Sequence, residues 1–62
     1  MASPLDRLPA GCNAEQNWLD GCLMLTLTDN ANARLVHGWG YGCTQEDALA
    51  GAVDDVLAAL SE

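Results

Sequence analysis

The chain has 62 residues, with nine acidic side chains set against two arginines and no lysine, for a formal net charge of −7. That balance excludes direct binding to nucleic acid or to an anionic membrane, and it favours a basic protein surface as partner. The length allows one small domain with a thin core, because a chain of this size buries only about 60% of its unfolded surface. Half of the residues are hydrophobic, which argues for a folded domain rather than disorder, but phenylalanine is absent and Trp18, Trp39 and Tyr41 supply all the large aromatic volume.

Residues 1–12 contain Pro4, Pro9 and Gly11, which leave no room for a regular helix. They predict an extended arm, with Leu5 and Leu8 able to fold back onto the core. Asn13 followed by Gln16 resembles a capping box, and Gly21 stands where a helix stop is wanted, so residues 13–20 are expected to form a short helix. The competing reading makes Asp20-Gly21 a two-residue hairpin turn and Gln16–Leu19 a strand. Residues 22–28 read as the clearest strand, with Leu23, Leu25 and Leu27 on one side and Cys22, Met24, Thr26 and Thr28 on the other. A polar turn over 29–33 leads into a second, antiparallel strand at 34–42. Thr44 is a helix cap, and Glu46 and Asp47 suit the positive end of the helix dipole. Leu49, Ala52, Val53, Val56, Leu57 and Leu60 make the apolar stripe of a helix over 44–60.

These elements predict a small single-domain α+β fold, in which a hairpin of two strands (three under the competing reading) is packed by the C-terminal helix. The strand at 34–42 has two unlike faces, Leu35, His37, Trp39 and Tyr41 against Val36, Gly38 and Gly40. Burying the larger apolar area favours a helix on the aromatic face. Packing on the glycine face would instead leave an exposed aromatic platform.

Few residue sets suggest chemistry. Cys12, Cys22, His37 and Cys43 are separated by nine, fourteen and five residues, unlike the tight ligand pairs of structural zinc sites. Cys43 with His37 lacks an orienting acid or an oxyanion motif. Gly38, Gly40 and Gly42 lack the Gly-Lys-Ser/Thr end of a phosphate loop. The expectation is a protein with no catalytic centre, no metal and no cofactor. Three cysteines are an odd number for a disulfide framework, and MASPLDRLPAG has neither a basic start nor an apolar signal region. No apolar run approaches the roughly 20 residues of a membrane span. A cytoplasmic monomer with reduced thiols is therefore expected. The carboxylates remain. Asp47 and Asp54, and likewise Asp55 and Glu62, stand seven residues apart on the polar side of the helix. With Glu15, Asp20 and Asp29 they could make a negative surface able to imitate the phosphate row of DNA, and the candidate partner-binding residues are Asp47, Asp54, Asp55, Glu15, Asp20 and Asp29.

The run Gly42-Cys43-Thr44-Gln45-Glu46-Asp47-Ala48-Leu49 resembles HicB-like antitoxins, in which a glycine, a threonine and an acidic pair followed by Ala-Leu mark the entry of the last strand into the helix. In size, charge and lone α+β domain the whole chain also resembles the small acidic anti-CRISPR proteins of phages and mobile elements that act on type I effector complexes, those directed at the type I-C complex included. The first resemblance implies a module that neutralises a small basic protein. The second implies a non-enzymatic inhibitor in the bacterial cytoplasm that occupies a basic DNA-recognition surface and keeps target DNA off.

Overall fold

The alternation of Leu23, Leu25 and Leu27 with polar residues builds the central strand of a three-stranded antiparallel sheet. In the computed structural model, which describes residues 3–61, strands β1 (Cys12–Leu19), β2 (Cys22–Asp29) and β3 (Arg34–Tyr41) lie side by side in chain order. Helix α1 (Gln45–Leu60) covers one face of this sheet. The α+β architecture is as expected, and so are both strands of the second hairpin and the C-terminal helix.

Residues 13–20 are not a helix. They form β1, paired along its whole length with β2 from Cys12↔Asp29 to Leu19↔Cys22. The competing hairpin reading is the correct one. Gly21 does adopt the left-handed conformation that both readings require, at φ 79°. That conformation serves a helix end and a tight turn equally. What decides is the backbone pairing available on β2, which satisfies a polar segment that has no apolar stripe to bury as a helix. The N-terminal arm also differs from expectation. Pro4–Arg7 make one 3-10 turn, started by a reciprocal Ser3–Asp6 capping box. Leu5 and Leu8 fold back against the core.

The helix packs on the glycine face of β3, not on the aromatic face. Asp29↔Arg34 closes the β2–β3 turn, and this register sets Leu27 opposite Val36, Leu25 opposite Gly38 and Leu23 opposite Gly40. The leucines and glycines therefore share a face, and a one-residue slip would be needed to bring the aromatics over. The glycines let α1 descend to backbone contact. A Cβ on Gly38 would stand 2.5 Å from Val56 Cγ1 and 2.7 Å from the Ala52 carbonyl oxygen, and one on Gly40 would overlap the Ala48 carbonyl. The core consists of Leu23, Leu25, Leu27, Val36, Ala48, Ala52, Val53 and Val56, with Leu49, Leu57 and Leu60 packed around it. Small helix residues and glycines compensate for the absence of large side chains by shortening the distance between layers.

Two polar devices fix the ends. The Thr44 side chain accepts from the Asp47 amide at the start of α1. At the other end Arg34 donates to the carbonyls of Ala59 (2.9 Å) and Leu60 (3.4 Å), placing a cation at the negative pole of the helix.

Candidate functional site

The six candidate carboxylates do not gather on one surface. Asp47 lies in the first turn of α1, exposed at the helix N-terminus. Asp54 is exposed on α1 and ion-paired with Arg7 of the N-terminal turn. Asp55, its neighbour, turns to β3, where its Oδ2 accepts the Trp39 amide at 2.9 Å. That amide points to the outer edge of β3, since β2 occupies the other side. Asp55 thus closes part of a sheet edge that would otherwise offer unpaired backbone groups. Asp20 stands at the β1–β2 turn and Asp29 at the far end of β2, about 25 Å away at the rise of an extended strand. Glu15 projects from the sheet face opposite α1, beside Thr26. Glu62, paired with Asp55 in the sequence reading, lies outside the described residues.

Asp29 is a turn residue. Its carboxylate accepts from Asn32 Nδ2 (2.8 Å) and from the Ala31 amide (3.1 Å). The Asn32 bond leads the causes that hold its pKa below the ordinary 3.8, with the Ala31 and Asn32 amides and Arg34 adding to it against partial desolvation. Because the folded-state pKa is lowered, this contribution is present above about 3.8 and is lost as pH falls through the lower folded value.

Both cations are held on the surface by partners of the same chain, Arg7 by Asp54 and Arg34 by the end of α1. Nine acids against these two arginines leave the net charge strongly negative.

The sequence ranking missed a second feature, the sheet face that α1 leaves open. Four cross-strand rows cross it: Leu19–Cys22–Tyr41, Asn17–Met24–Trp39, Glu15–Thr26–His37 and Asn13–Thr28–Leu35. Glu15 is the one acid among these twelve side chains. The end near the β1–β2 turn is apolar and open, with Trp39 41% and Tyr41 70% exposed. His37 is oriented by Thr26, whose Oγ1 lies 3.1 Å from Nδ1. The signal for this face was present in the alternate spacing of Gly38 and Gly40, which marks the side that a helix approaches.

The imagined zinc set is dispersed. Cys12 and Cys22 occupy opposite faces and opposite ends of the sheet, His37 sits on the open face, and Cys43 lies beyond the end of β3. Among the described residues no three metal-ligating side chains converge. A cleft of about 370 Å³ separates β1 from α1 and the N-terminal turn; Ser3, Pro4, Gln16, Trp18, Gln45, Glu46 and Leu49 line it. Glu46 is its one ionisable side chain, so the cleft supplies no acid–base pair. Among the described residues no helix is long and apolar enough to cross a membrane.

Against known proteins, no family model, curated protein or solved structure matches the chain.

Proposed function

We propose that this protein is a binding inhibitor that occupies a basic, nucleic-acid-binding surface of another protein, with a type I CRISPR effector complex as the partner implied by its resemblance to acidic anti-CRISPR proteins. The observation that carries this reading is the charge balance, −7 with no lysine, together with the tying of both arginines to partners on the same chain, Arg7 to Asp54 and Arg34 to the end of α1. Such a field speeds encounter with a basic patch and disfavours nucleic acid itself. The carboxylates free to act are Asp47, Asp20 and Glu15. Asp54, Asp55 and Asp29 contribute charge while also holding an ion pair, a strand edge and a turn.

The test is target-DNA binding by purified type I effector complexes, titrated with this protein at low and at physiological salt. Inhibition that weakens steeply with salt is expected, and it should fall about tenfold or more in the triple variant Glu15→Lys, Asp20→Lys, Asp47→Lys. Unchanged DNA binding at low salt would remove the reading. The alternative, an antitoxin-like module neutralising a small basic protein, draws on the capped junction from β3 into α1 at residues 42–49. Rescue of growth when the chain is co-expressed with a small basic toxin would separate the two.

A further inference from the structure

We infer that the open sheet face is an arginine-selective docking platform, engaged by an arginine-bearing segment of the basic partner protein. The inference rests on the basic-partner reading above and names the surface and the side chain that reading leaves unspecified.

Three observations converge. The first is aromatic geometry. Trp39 and Tyr41 are two residues apart on β3, so both rings stand on the same face, about 7 Å apart along the strand. They are 41% and 70% exposed. Cys22 and Met24 are their cross-strand neighbours on β2. Rings offered in this way present their negative faces to a cation.

The second is the position of the acids around those rings. The Asp55 carboxylate is held at the outer edge of β3 by the Trp39 amide, which uses Oδ2. Asp55 thereby places a negative charge at the β3 edge next to the Trp39 backbone. Glu15 stands across the sheet on β1, and Asp20 lies at the turn next to Leu19. A guanidinium stacked on Trp39 or Tyr41 therefore lies in the negative field of these carboxylates. Arginine suits this arrangement better than lysine, because its planar, weakly hydrated guanidinium stacks on a ring.

The third concerns the occupant. A second copy is a poor fit for this face. Three strands of eight residues make a patch of roughly 14 by 26 Å, or roughly 400 Å² per copy, about half of what a stable partner face needs. Self-association would also bring two chains of charge −7 together. A basic partner turns the same charge into attraction and needs only a segment, not a matching face.

The full chain is titrated with a hexa-arginine and a hexa-lysine peptide at equal, low ionic strength, with binding followed by calorimetry. Hexa-arginine is expected to bind about fivefold more tightly. That preference should fall below about twofold in Tyr41→Ala and in Trp39→Ala, and persist in Tyr41→Phe, while hexa-lysine affinity changes little. Circular dichroism checks the fold of each variant, and the highly exposed Tyr41 decides if Trp39→Ala does not fold. Equal affinity for the two peptides in the parent chain overturns the platform and leaves the basic-partner reading standing. So does a preference that survives both alanine variants. Failure of either peptide to bind overturns both.

Discussion

The two faces of one three-stranded sheet behave as different materials. On the covered face, glycines and alanines bring α1 to backbone contact over three leucines that are wholly buried. On the open face, larger side chains stand in solvent with Trp39, Tyr41, Leu19 and Leu35 all more than two-fifths exposed. Bulk alone did not decide which side became the core. The close approach that glycine permits did, because leucines on β2 and small residues on β3 together fill the layer beneath a helix rich in alanine.

Substitutions should separate these faces sharply. The largest effect is expected from Gly40→Val, whose added atoms would meet the Ala48 carbonyl and the Ala52 amide, both backbone and unable to yield. A loss of about 3 kcal/mol or more would consume most of the stability of a domain this small, on the order of 3–9 kcal/mol. Circular dichroism should show an unfolded chain, and a cooperative melt close to that of the parent would refute the close-packing account. Leu25→Ala comes next. It removes a fully buried side chain from the centre of the same layer and should cost about 2–5 kcal/mol by denaturant titration.

Asp55→Ala addresses the boundary between the faces. It removes the acceptor of the Trp39 amide and should cost about 1 kcal/mol. It also opens the β3 edge, so light scattering at high protein concentration should rise with time. A variant as soluble and as stable as the parent would show that the edge needs no guard. The smallest effect on stability is expected from Tyr41→Ala on the open face, within about 0.5 kcal/mol. A loss approaching that of Leu25→Ala would mean that the open face also belongs to the core.

The C-terminal half of this fold was legible in the sequence. The Leu23–Leu27 alternation, the Thr44 cap and the Leu/Val stripe of α1 each carry a periodic or capping signal that tertiary structure did not override. The first half was not. Asn13, Gln16 and Gly21 satisfy helix-end rules locally, while the strand they form depends on hydrogen bonds to β2, a long-range partner invisible in eight residues. The choice of face on β3 was misjudged for a related reason. Area arguments favour Trp39 and Tyr41, but the register set by Asp29↔Arg34 had already assigned their side of the sheet. Of the candidate acids, sequence identified charge but not duty. Nothing in Asp54-Asp55 announces that one would grip Arg7 and the other the edge of β3.

The isolation of β1 has a dynamic consequence. Among the elements this strand contacts β2 alone, and of its side chains only the half-buried Cys12 packs against the core. Its detachment would break one ladder of backbone bonds and leave the β2–β3 hairpin clasped under α1. Amide hydrogen exchange should therefore fall into two tiers, with β1 released by a low-energy local opening and the leucine strand protected until the whole domain unfolds. Exchange in those two tiers would define a two-strand platform carrying a removable third strand.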